Sequence, residues 1–202
     1  MDGVIFKDIN FWMELHKRFG TLKEGLVLTE KYLHKDYNKL VHEVVVRLWK
    51  GKDAKSYYEL VDSIEYMKGV KELFSFVKRN GYITAIISAS SIDVARRVQH
   101  DFGVNHLFAN ELVIKNGKVS GEFVWPIGAG KEKKAKIVSD LCEELGISLK
   151  ECIYVGDSET DLEALEIVGQ AIAFNCRAAK VKEAADVVVE SDDLRDLIKH
   201  IL

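Results

Sequence analysis

The chain has 202 residues, 48% of them hydrophobic, with 29 basic and 32 acidic residues and a net charge of −3. That length supports one buried core plus a small accessory unit, and the charge balance excludes the basic footprint of a nucleic-acid binder. No apolar run approaches the roughly 20 residues that cross a bilayer, and no basic region leads into an apolar stretch at the start, so a soluble, cytoplasmic protein with no membrane partner is expected.

From Asn10 to about Met67 the apolar residues recur at helical spacing: Phe11, Leu15 and Phe19, then Leu33, Tyr37, Leu40, Val44 and Leu48. This region is predicted to be all helix. Its aromatic residues Trp12, Trp49, Tyr57 and Tyr58 could line a pocket or fill a core. From Gly69 the pattern changes to helix Val70 to Asn80, a stop at Gly81, and a buried strand from Tyr82 to Ser88. Helix Ile92 to Phe102 with Gly103 as its stop, then a short strand Leu107 to Ala109, repeat the unit. Two alternating segments, Glu111 to Lys115 and Lys118 to Val124, flank Asn116-Gly117 and predict a β-hairpin flap. Helix Lys131 to Leu145, strand Cys152 to Val155, helix Asp161 to Val168, strand Gln170 to Phe174 and strand Asp186 to Val189 complete the chain. Such alternation demands an α/β fold in three layers, a Rossmann-like parallel sheet with helices on both faces. The core is assigned to 1–9 and 68–202, with the flap near 111–124 and a helical cap at 10–67.

Cys142, Cys152 and Cys176 are odd in number and form no CxxC pair, which argues against a disulfide framework or a zinc site. The six histidines, among them His16, His34 and His42, have no metal-site spacing either.

In open parallel sheets ligands bind where the strands end. There the sequence places Ser88-Ala89-Ser90-Ser91, then Gly156-Asp157 followed four residues on by Asp161, with Asp2-Gly3-Val4 at the start and the lysines 131–136 between. Two carboxylates at a helix start invite a hard cation such as Mg²⁺, although both could simply cap the helix. Ser88 and the following amides offer an anion site, or an ordinary serine cap. A lysine in such a run is commonly a solvated face.

In chain order these residues resemble the haloacid dehalogenase superfamily, whose motifs run Asp-x-Asp, Ser/Thr, Lys and Gly-Asp-x-x-x-Asp. Phe108-Ala109-Asn110-Glu111-Leu112 and Asn116-Gly117-Lys118-Val119-Ser120-Gly121, with Gly156-Asp157, resemble the phosphoserine phosphatase group within it. The resemblance implies a Mg²⁺-dependent phosphatase of small phosphorylated metabolites working through an aspartyl-phosphate. Asp2 matches the acid/base carboxylate. Ser88, the Ala89 backbone and Lys134 would hold the phosphate, with Lys133 as the fallback. Asp157 and the Asp2 main chain would bind Mg²⁺, with Asp161 behind them.

The resemblance also places a nucleophilic Asp two residues before Asp2, and a central strand leading into it, ahead of Met1. As given, the chain is therefore expected to be inactive or impaired. Either translation begins upstream, or the protein has left catalysis and binds phosphate esters or a protein partner. The Glu and Arg that grip phosphoserine in that group fall on Ile9 and near Val45, with Asp8 and Arg47 displaced, so a different or broader small substrate is expected. Apolar faces on the cap leave an interaction module or a homodimer open.

Overall fold

Asn10 starts the cap because its side chain accepts a hydrogen bond from the Met13 amide, giving the first turn of α1 (Phe11–Arg18) a partner for an otherwise orphaned donor. The computed structural model describes residues 1–7, 9–128 and 132–201. Asp8 and Lys131, both named above, lie outside them. The cap continues through α2 (Leu22–Tyr32), α3 (Tyr37–His42) with a π-helical extension at Glu43–Trp49, and α4 (Lys55–Ser63). It is helical throughout, as its periodicity predicts. Its centre is a buried trio in which His16 Nδ1 lies 2.8 Å from Thr21 Oγ1 and the Trp49 indole N–H is 3.2 Å from that hydroxyl oxygen.

The remaining elements are α5 (Val70–Arg79), β1 (Ala85–Ser91), α6 (Ile92–Phe102), β2 (His106–Lys115), β3 (Lys118–Val124), α7 (Glu132–Leu145), β4 (Ile153–Gly156), α8 (Leu162–Ile167), β5 (Gln170–Phe174), α9 (Ala179–Ala184) and β6 (Val187–Val189). A 3₁₀ stretch, Leu194–His200, closes the described chain. β4, β5 and β6 form one parallel sheet, and β1 pairs in parallel with β2 in another. Asn116 and Gly117, both at positive φ, turn β2 into β3 as the predicted hairpin.

Two predicted segments prove to be one. Leu107–Ala109 and Glu111–Lys115 belong to a single strand that pairs with β1 in its first half and with β3 in its second. Asn110 at the join is a poor strand former, but its fully buried amide is satisfied by backbone partners. The first buried strand also starts later than predicted, at Ala85, because Tyr82 and Ile83 are exposed.

β1 and β4 do not pair with each other. Between their facing edges lies an apolar slot of about 490 Å³, lined by Ile86, Ile87, Ile153 and Val155 and touched by Met1, Val4 and Ile5. Cap and core are not independent bodies: Phe11, Leu15, Val45 and Leu60 share one hydrophobic cluster with Phe6, Val94, Ile172 and Phe174. The Ala54 amide donates to Gly117 O and the Val119 amide to Lys52 O, tying the cap to the hairpin. Among the described residues no helix is long and apolar enough to cross a membrane.

Candidate active site

The site is assembled where β1 and β4 end, from four chain segments. After Ser88 the β1 register shifts, so Ala89 and Ser90 drop out of the ladder before Ser91 resumes it. Ser91, not Ser88, caps α6 by accepting from the Asp93 amide. That leaves Ser88 free of the capping duty its position allowed. It is 5% exposed, and its hydroxyl accepts a 3.2 Å bond from the Ser90 amide. The loop is pinned through the Ala89 carbonyl, which accepts 2.8 Å bonds from the Trp12 indole N–H and from the Asn110 amide. The Asn110 side chain also spans Ile127, donating to its carbonyl and accepting from its amide. Neither the Trp12 anchor nor the Asn110 staple follows from periodicity. Asn110 was visible only as part of the quoted Phe108–Leu112 motif.

β4 delivers Gly156 and Asp157. A side chain at Gly156 would place its Cβ 2.6 Å from that of Asp161, so glycine lets the strand end fold against the next turn. Asp161 then spends both carboxylate oxygens on protein donors. Oδ1 accepts from Lys134 Nζ at 2.7 Å and Tyr154 OH at 2.8 Å; Oδ2 accepts from the Ser158 hydroxyl and from the Asp157 and Ser158 amides. It forms no part of the cleft wall. The residue expected behind the metal is thus geometrically the partner of Lys134.

Lys134 sits in the first turn of α7, where the helix dipole opposes a cation, and is only 7% exposed. A lysine in that position needs a compensating anion, and Asp161 supplies it, with Thr160 Oγ1 a further acceptor at 3.0 Å. The geometry separates Lys134 from Lys133, which is exposed.

Asp2 lies in a tight turn whose Met1 carbonyl accepts from the amides of Val4, Ile5 and Phe6. Gly3, at φ 78°, has no room for a side chain, since a Cβ would meet Asp157 Oδ2 at 2.2 Å. Asp2 Oδ2 accepts from the Phe11 amide at 3.1 Å, at the start of α1. Asp2 Oδ1 and the Ser90 hydroxyl are both buried without a well-formed hydrogen bond, although Ser90 lies close enough to the Asp2 carboxyl to favour its charged form. Orphaned polar atoms at such depth are costly unless something binds there.

Burial raises the Asp2 carboxyl above its ordinary pKa, partly offset by the chain's amino terminus and the Phe11 amide. Burial also raises Asp157, and the Asp161 and Asp2 charges add to it. For Asp161 burial pushes upward, but the Lys134 charge and hydrogen bond outweigh it and hold the carboxyl low. Three carboxylates facing one buried lysine leave a net negative centre. The donor set therefore fits a hard divalent cation, with the Asp157 carboxylate and the Asp2 main chain as the available oxygens. Among the described residues no group of three His, Cys, Asp or Glu side chains is arranged to hold a metal, so any such ion would also draw on main chain, water and substrate.

Asp2, Ser88, Ala89, Lys134 and Asp157 open onto one cleft of about 1360 Å³. Its cap side is formed by Ile9, Asn10, Trp12 and Met67, its far rim by Asn175 and Arg177. Val45 is fully buried elsewhere, and Arg47 is exposed and paired with Glu43 at 2.6 Å. Of the cap aromatics only Trp12 lines the cleft; Trp49 and Tyr57 are core, and Tyr58 is exposed.

Residues 2–169 match the family model of haloacid dehalogenase-like hydrolases. The phosphoserine phosphatase of Methanocaldococcus jannaschii is 28% identical over 77% of this chain and 73% of its own length. That of Archaeoglobus fulgidus is 32% identical over 90% of this chain, which spans about half (52%) of that larger protein. A substrate-bound phosphoserine phosphatase structure superposes with a TM-score of 0.85, covering 100% of this chain and 95% of that one at 24% identity, a likeness of fold. Family model, relatives and fold agree with the motif order: the chain belongs to the haloacid dehalogenase-like hydrolases, and the relatives it most resembles here are phosphoserine phosphatases.

Proposed function

We propose that this protein hydrolyses small phosphomonoesters with Mg²⁺ through an aspartyl-phosphate, and that the attacking carboxylate stands two positions ahead of Asp2. The observation that carries the reading is the convergence of Asp2, Ser88, Lys134 and Asp157 on one cleft. A structure of similar fold, with a TM-score of 0.84, is of a phospho-aspartyl intermediate analogue of phosphoserine phosphatase.

In this scheme Ser88 and the Ala89 to Ser90 backbone hold the non-bridging phosphate oxygens, and Lys134 offsets their charge. Asp2, whose pKa burial raises, gives its proton to the leaving oxygen and then takes one from the water that opens the acyl phosphate. A bound Mg²⁺ would supply further neutralisation of the phosphoryl oxygens from Asp157 and the Asp2 main chain. Asp161 holds Lys134 in place through their 2.7 Å contact. The strand carrying the nucleophile would occupy the apolar slot between β1 and β4, two strands that do not pair with each other.

Ile9, Trp12 and Met67 give the cap side of the cleft an apolar surface, and Ile9 stands where the resemblance places the carboxylate that grips phosphoserine. We therefore assign a small phosphoester other than, or broader than, phosphoserine. The test is Mg²⁺-dependent hydrolysis of an aryl phosphate and of a phosphoester panel, by this chain and by a form extended upstream in its own reading frame. Turnover in the extended form alone supports the scheme. Absence of turnover in both, with inorganic phosphate still bound, leaves a phosphate-binding protein instead. Phosphoserine as the single good substrate would overturn the substrate assignment.

A further inference from the structure

Cys142 on α7 and Cys152, the residue before β4, bring their sulfurs to 3.1 Å, closer than an ordinary contact between two sulfur atoms. Neither takes part in the phosphatase chemistry above. They face each other at the edge of the slot, in a small apolar cluster with Val138, Ala164, Leu149 and Tyr154. The backbone between them enforces this approach. Gly146 at φ 67° reverses the chain, the Ile147 amide donates to Cys142 O at 2.9 Å, Ser148 and Glu151 form a capping box, and the Cys152 amide donates to Leu149 O at 3.1 Å. A disulfide requires an S–S separation of about 2.05 Å, so closure needs sulfur movement on the order of 1 Å, within the reach of small side-chain rotations. Cys142 is buried while Cys152 is partly exposed, so one thiol is accessible to react with a small oxidant.

We infer that Cys142 and Cys152 are a modification site at which an intrachain disulfide forms on exposure to a low-molecular-weight disulfide such as oxidised glutathione. The Cys152 thiolate attacks one sulfur of the oxidant, which leaves as one thiol. The Cys142 thiolate then attacks Cys152 Sγ in the mixed disulfide and releases the second thiol. Two protein thiols are oxidised, one small disulfide is reduced to two thiols, and the two protein protons are carried off by them. The bridge fastens α7, which carries Lys134, to the foot of β4, which carries Asp157. Burial and the neighbouring Cys142 raise the Cys152 thiol to about 11, so the exchange is slow near neutrality and accelerates as pH rises.

Cys176 is the internal control. Its thiol donates to Ala178 O at 3.7 Å on the active-site side, away from the pair. The experiment is to incubate the reduced chain with oxidised glutathione at pH 8.5, trap free thiols under denaturing conditions, and map the peptides. Expected are one remaining thiol, at Cys176, and one linked peptide pair. Closing a loop of about ten residues should raise Tm by roughly 5 °C, reversed by dithiothreitol. The Cys176→Ser variant should behave identically, and Cys152→Ala should lose the bridge. Three free thiols after prolonged oxidation, stable glutathione adducts on Cys142 or Cys152 in place of the bridge, or a link through Cys176 would each overturn the inference.

Discussion

Replacing Lys134 by Met tests whether the lysine and Asp161 act as one buried unit. Their atoms are 2.7 Å apart and the side chains 8% and 5% exposed. At that separation two unit charges attract by about 6 kcal/mol for an effective dielectric of about 20, against a desolvation cost of several kcal/mol per ion. The intact pair thus nets little. Lys134→Met, however, leaves the Asp161 charge buried with neutral donors alone, the Tyr154 and Ser158 hydroxyls and the Asp157 and Ser158 amides. Breaking a buried pair in this way should cost about 3 kcal/mol, or roughly 6–12 °C in Tm for a chain of this size. Asp161→Asn should cost less, because Lys134 retains Thr160 and the Asp157 and Asp2 charges nearby. The double variant should recover about 2 kcal/mol relative to the sum of the singles. Urea unfolding of all four proteins at pH 7, followed by circular dichroism, gives the coupling directly. Because the folded Asp161 carboxyl is held below the ordinary aspartate value of 3.8, the contribution is fully present above about pH 4 and is lost as pH falls through the lower folded value. Additive single variants, or a Lys134→Met cost under 1 kcal/mol, would refute the account.

Asp2→Asn in the upstream-extended protein should lower kcat at least 100-fold while leaving Tm unchanged or raised, since a buried carboxylate with an orphaned oxygen is lost; steady-state kinetics and calorimetry read both. Mg²⁺ at ten times its Kd should stabilise the chain by about 1.4 kcal/mol, and chelation or Asp157→Asn should abolish the gain in a thermal-shift assay. Trp12→Phe removes the indole bond to Ala89 O, and should weaken inorganic phosphate binding several-fold by calorimetry with a stability loss near 1 kcal/mol. Burial lowers the His16 pKa to about 4 from 6.5. The unfolded chain therefore binds a proton that the folded cap refuses, so stability is complete above about pH 6.5 and falls by on the order of 2 kcal/mol, after allowance for partial screening, as pH drops to 4. Histidine-to-glutamine replacement at position 16 should flatten that slope in pH-dependent melting curves.

The cap shows which features local sequence can carry. Phe11, Leu15 and Phe19 recur at helical spacing, and Asn10 carries the capping oxygen, so α1 is written in one turn of chain. Asn116-Gly117 likewise fixed its hairpin, because both residues tolerate the positive φ that the turn demands. The short helix α9 buries Val181 alone, so it leaves no amphipathic repeat in the sequence. β2 was divided in two, since its change of partner at Asn110 depends on β1 and β3 and leaves no trace in alternation.

The amino-acid sequence by itself determined the α/β alternation, the cap, the hairpin and the order of the residues at the strand ends, because each rests on contacts or dihedral preferences within a few positions. Only the tertiary structure buried Lys134 and turned Asp161 from the cleft toward it, hung the Ala89 loop on Trp12 and Asn110, opened the slot between β1 and β4, and brought Cys142 against Cys152. These are decided by burial and by distances between residues remote in the chain. A charge, an amide or a thiol acquires its role only when folding removes water and fixes which partner remains.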